Sequence, residues 1–212
     1  MSADQAHLVA AINGLANAIR TSWVPQQEVA QVQEALEKAR TIVDQYVAAP
    51  PYAAEQLSPP NQTVLHWDPD DLCQTIPYSP FLGHLNPISG EAKLRVEGQA
   101  LRGTIRLSPI HAGRIAAAHG GVVAALLDEL TSMAILALGR FGYTHTLTVT
   151  YHRPTPLDKE LSMWAQTAGE TGSVFLTSAE IRCEGKVTAS AVAVHHARGR
   201  SDEPMYPDST SR

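Results

Sequence analysis

The residues with the clearest capacity for chemistry are the run His119-Gly120-Gly121 and, seven positions after the second glycine, Asp128. Two glycines at a helix start let a ligand approach the backbone closely, and the first unpaired N–H groups of a helix favour developing negative charge. A thioester carbonyl becoming an oxyanion is such a charge, and one donor of this kind is worth roughly 2.7 to 4 kcal/mol in a transition state. The plainer reading of the same glycines is a turn that merely opens a helix. Asp128 stands two turns into an otherwise apolar segment, between Leu127 and the pair Glu129 and Leu130. A buried carboxylate is costly unless paired or functional, which makes Asp128 a candidate base or nucleophile. Its alternatives are a wet edge of the helix or an ion pair with an arginine, and Glu129, about 100° further round, competes for the role.

Helix geometry adds a constraint. Gly121 and Asp128 share a face but lie about 10 Å apart along the axis, too far for one scissile carbonyl to touch both. If both act on one substrate, Asp128 must come from a neighbouring subunit's helix, and the active sites are shared in an oligomer.

The elements that must position these residues are legible from periodicity. Leu94 and Val96, then Leu101, Ile105 and Leu107, alternate on either side of Gly98 and predict a strand hairpin. The segment from His119 to about Leu138 is apolar almost all round, as expected of a helix wrapped by protein. Leu147, Val149 and Tyr151 alternate in the next strand, with Thr144, Thr146, Thr148 and Thr150 on its other face, and the strand stops at Pro154 and Pro156. Three further strands are predicted near 160–169, 173–183 and 186–196. A long antiparallel sheet curled around one apolar helix is the economical way to bury that helix, so the expected class is α+β with the hotdog architecture.

Ahead of this core, Leu8, Ile12, Leu15 and Ile19, then Val29, Val32, Leu36, Ala39, Val43 and Tyr46, mark two amphipathic helices. They predict an N-terminal helical hairpin over 1–48, whose apolar edges need a partner: each other, the main domain, or a second subunit. A Pro-rich linker is expected over 49–62, the hotdog domain over 63–198, and a C-terminal tail over 199–212.

Together the HGG run, the aspartate seven residues on, and a strand ending Tyr151-His152-Arg153-Pro154 resemble the hotdog acyl-CoA thioesterases of the PaaI and thioesterase superfamily member 4 group. The similarity runs from about Ser79, including SPFLGHLNP, to His196, and leaves the helical hairpin unaccounted for. The resemblance implies Asp128 as general base or nucleophile, the Gly121 N–H as the group that polarises the thioester, and His119 as the residue positioning that helix start. It also implies Thr144 as the hydroxyl that orients the water or the carboxylate. Some relatives carry an Asn a few residues before the HGG; the run 113–118 here has none, so a mechanism through that amide is excluded. Gly120 is expected beside the substrate, Arg153 to meet a CoA phosphate, and His84 with Asn86 to line an acyl pocket. His145, His152, His195 and His196 read as scattered strand residues.

The implied reaction is hydrolysis of acyl-CoA, or of an acyl group on a carrier protein, with neither metal nor redox cofactor, in a homodimer or tetramer. The alternative is an acyl-CoA sensor that binds without turnover. The 212 residues carry a net charge of −5 with only 17% charged side chains, so no basic stripe exists to neutralise phosphates. Residues 1–48 add five acids (Asp4, Glu28, Glu34, Glu37, Asp44) against three bases (Arg20, Lys38, Arg40), a poor recipe for binding DNA. Asp128 and Glu129 sit near the middle of the most apolar stretch, which argues against membrane insertion. Two cysteines without zinc-ligand spacing, and an N-terminus unlike a signal peptide, point to the cytoplasm.

Overall fold

The computed structural model describes residues 3–47, 68–114, 116–140 and 142–197; the expected linker and tail lie outside the described residues. The chain divides into two units, residues 1–66 and 67–212. In the first, α1 (Ala3–Thr21) and α2 (Gln26–Val43) are joined by residues 22–25, with Pro25 as the residue before α2. Pro25 has an extended backbone, which suits a proline with no N–H to give. The apolar stripes stay open: Leu8, Ile12, Leu15 and Ile19 are exposed, and α2 buries no residue.

The second unit begins with a short helix α3 (Leu72–Thr75) whose start is capped by Asp71, the carboxylate accepting the Cys73 N–H. The hairpin follows as β1 (Glu91–Glu97) and β2 (Ala100–Arg106). A small ribbon of β3 (Ala112–Arg114) and β4 (Ala117–Ala118), which sequence periodicity does not announce, leads into the long helix α4 (Gly120–Leu136). The chain is completed by β5 (Gly142–Tyr151), β6 (Glu160–Thr171), β7 (Val174–Cys183) and β8 (Lys186–Ala197).

These strands form one six-stranded antiparallel sheet in the order β1-β2-β6-β7-β8-β5, and α4 packs across β5 to β8. This is the hotdog fold. Leu126, Leu127 and Leu130 are 0% exposed, each contributing about 1.5–3 kcal/mol of burial. Opposite them the sheet turns inward Ile105, Leu161, Ala165, Ala179 and Ala191, small residues alternating with large ones so that a whole helix fits the curve. The turn that follows α4 passes through Gly139, whose φ of +69° lies in the left-handed region that glycine enters without steric cost. Among the described residues nothing pairs with the outer edge of β5, a ten-residue strand.

Candidate active site

The start of α4 is built around His119. Its backbone is extended, and its Nδ1 accepts the Gly121 N–H at 3.0 Å, doing the work that serine or aspartate usually does at a helix cap. A ring nitrogen that accepts carries no proton, so the neutral ring keeps its hydrogen on Nε2. The strand behind is pressed close: a Cβ on Gly113 would lie 2.6 Å from the His119 Cα, which only glycine permits. In front, the Tyr151 hydroxyl donates to the Gly120 carbonyl at 2.9 Å and ties the helix start to β5. The Gly120 and Val122 N–H groups donate to none of the described residues. His119→Ala removes the cap and is expected to cost about 1 kcal/mol, read as a lower urea midpoint.

Asp128 is half-buried on the face of α4 that meets β5 and β8, where the Thr144 hydroxyl donates to its Oδ1 at 2.8 Å. That contact depends on a bulge. Thr144 pairs with His195 and Thr146 with Val194, so His145 is an extra residue in β5. One extra residue inverts the alternation, and Thr144 turns inward with Leu147 and Val149 instead of outward with Thr146, Thr148 and Thr150. The uniform threonine face read from sequence is thereby corrected. Behind Thr144 stands His195, 0% exposed, with Nδ1 3.4 Å from the Thr144 Oγ1 and Nε2 2.9 Å from the Thr177 Oγ1. Burial pushes the His195 imidazole below its ordinary proton affinity, against a smaller opposing pull from the Asp128 charge. His195 is not the incidental strand histidine that its sequence context implies.

Glu129 does different work. Its carboxylate accepts the N–H groups of Phe81 at 3.1 Å and Leu82 at 3.0 Å, together with the Ser79 hydroxyl. The loop that carries SPFL is thus pinned to α4 by one side chain. Burial raises the proton affinity of Glu129, and the three donors oppose that rise only in part. Within the same loop Asn86 accepts the Ile88 N–H and donates to the Tyr78 carbonyl, so it braces a turn. The Nδ1 of His84 is enclosed and has no hydrogen-bond partner among the described residues. Arg153 lies exposed just beyond β5.

With this geometry in hand, residues 116–190 match the thioesterase superfamily model. That match spans about a third of the chain, within the hotdog domain. A crystal structure of a thioesterase superfamily protein, 22% identical, aligns over 92% of this chain and 95% of its own with a TM-score of 0.74, which shows the common fold. A hypothetical thioesterase from Streptococcus pneumoniae, crystallised with coenzyme A, is 18% identical over 52% of this chain and 90% of its own, with a TM-score of 0.49. Zebrafish thioesterase superfamily member 2 is also 18% identical, over 51% and 82% of the two chains, with a TM-score of 0.48. No curated protein matches the sequence.

The hotdog domain gathers its expected residues in two groups. His119, Gly120 and Gly121 cluster at the start of α4, and Asp128 and Thr144 meet two turns further along. Sequence reading missed His195, Thr177 and Tyr151, and left the work of Glu129 open. Glu129 carried a signal, as an acid beside Asp128 in an apolar run, and Tyr151 stood in the quoted Tyr151-His152-Arg153-Pro154 run without a role assigned to it. Among the described residues no group of His, Cys, Asp and Glu is arranged to hold a metal ion, and no helix is long and apolar enough to cross a membrane.

Proposed function

We propose that the thioesterase domain hydrolyses acyl-CoA, or an acyl group on a carrier protein, with Asp128 as the reacting carboxylate. The observation that carries this reading is the Thr144 hydroxyl on Asp128 Oδ1, which fixes one oxygen and leaves Oδ2 for water or substrate. As a base, Asp128 takes a proton from water whose oxygen attacks the acyl carbon. The tetrahedral oxyanion then collapses, the C–S bond breaks, and the thiolate recovers the proton. As a nucleophile, Asp128 attacks the acyl carbon, the C–S bond breaks to release the thiolate, and water then hydrolyses the mixed anhydride to the free acid and the Asp128 carboxylate.

The carbonyl oxygen belongs at the start of α4, where it takes over the Gly121 N–H from His119 Nδ1 beside the ring's Nε2–H. Before substrate arrives His119 holds that start in place; once it binds, Gly120 flanks the acyl group, and Arg153 and His84 serve as substrate contacts. About 10 Å of helix separates Gly121 from Asp128, so a complete site takes the helix start from one subunit and Asp128 from another. The open edge of β5, beside both groups, is a ready surface for pairing two subunits into a dimer, with a tetramer built from such pairs.

The test is thiol release from a panel of short, medium, long and aromatic acyl-CoAs, with molar mass in solution measured alongside. Turnover in a dimer or tetramer is the expected result. Tight CoA-ester binding without turnover would instead favour a sensor, and a fully active monomer would sink the shared site.

A further inference from the structure

Four side chains from four elements form one hydrogen-bonded line through the interior: Asp128 on α4, Thr144 on β5, His195 on β8 and Thr177 on β7. A hydroxyl has one proton, and an ionised carboxylate only accepts, so the Thr144 proton is committed to Asp128 at 2.8 Å. Any hydrogen bond between Thr144 and His195 must then be donated by the ring, from Nδ1. A neutral ring protonated there has a bare Nε2, which accepts the Thr177 hydroxyl at 2.9 Å.

The opposite tautomer gives Thr177 its other acceptor, the Ala193 carbonyl, at the longer 3.4 Å. It also leaves the Nδ1 lone pair facing a Thr144 oxygen whose proton points away, inside a fully buried ring. An unmatched buried acceptor is the costlier arrangement. The lowered proton affinity of His195 agrees with a neutral ring.

We infer that His195, protonated on Nδ1, is a positioning residue that orients the Thr144 hydroxyl so that every proton in the line points toward Asp128. The inference rests on the reading of Asp128 as the reacting carboxylate. Its effect is to lock one rotamer of a hydroxyl and, through it, one face of a carboxylate. A lost orientation of this kind lowers turnover without weakening substrate binding.

Two substitutions separate this role from packing. An asparagine places its amide nitrogen near the Nδ1 position, and a glutamine reaches toward Nε2. His195→Asn is expected to keep kcat within a few-fold of wild type, and His195→Gln to lose roughly 10- to 100-fold in kcat with KM little changed. Equal losses in both variants, or losses that follow their melting temperatures, would overturn the inference.

Should either variant fail to fold, ¹⁵N shifts of the wild-type His195 ring decide the matter without substrate: a protonated Nδ1 is expected, and a bare Nδ1 refutes the inference. A wild-type protein that turns over no thioester sinks the Asp128 reading, and with it the kinetic role of His195. The ring-nitrogen shifts then still judge the direction of the line.

Discussion

Asp128→Asn is expected to lower kcat for the proposed thioester hydrolysis by roughly three orders of magnitude or more, on the order of 4 kcal/mol of transition-state stabilisation, while the protein stays folded. Asparagine is the informative change because its Oδ1 still accepts the Thr144 hydroxyl, so position is kept and basicity and charge are lost. Asp128→Ala is expected to be as inactive but to lose that hydrogen bond as well. The measurement is thiol release under saturating substrate, with circular dichroism and urea unfolding run on the same samples. A variant that retains most of the wild-type rate would move the reacting role to another group, with Glu129 the first to examine.

Glu129→Gln is expected to divide the two acids by their effects. The substitution leaves an amide NH₂ facing one of the backbone N–H groups that the carboxylate satisfies, at Phe81 or Leu82, and the unsatisfied donor costs about 1–3 kcal/mol. Urea unfolding at neutral pH reads that loss, and kcat of the folded variant stays near wild type. The pH dependence has a definite sign. Because the native state raises the proton affinity of Glu129, it binds a proton more tightly than the unfolded chain does. Its contribution is greatest below the unfolded carboxylate value of about 4.3 and is lost as pH rises through the higher native value. Above pH 4 the wild type should therefore show a downward component in stability that is missing from Glu129→Gln. A kcat loss as deep as that of Asp128→Asn, with stability unchanged, would reverse the assignments.

How far the sequence could be read follows from where each signal lives. The all-apolar helix and alternating strands are short-range patterns, and the chain carries them openly in Val123 to Leu136 and in β6 to β8. The phase of β5 is different. Thr144 to Thr150 alternate without a break, and nothing in those residues marks His145 as the extra one, because the bulge answers the pairing with β8. His195 was illegible for a related reason. Its neighbours Ala193 and Ala191 are buried on the same face, but a histidine at the end of that series is ambiguous until the threonines of two other strands are brought beside it. Glu129 was visible as an anomaly, and only the loop around Ser79, fifty residues away, tells an anchor from a base. The open stripes of α1 and α2 show the same limit: periodicity says that a face is sticky and says nothing of what it meets.

Cys73 packs under β1 at 2% exposure, and burial, followed by the Asp71 charge, pushes its thiol up to about 12. Cys183, at the end of β7, is only partly covered. The protein thus carries a built-in reporter. A disulfide reagent added to the native chain is expected to reach Cys183 and leave Cys73 silent, so the background in a colorimetric turnover assay is at most one equivalent. The second equivalent appears only when the core around α3 opens. Its rate of appearance measures how often that part of the molecule breathes, with no probe attached.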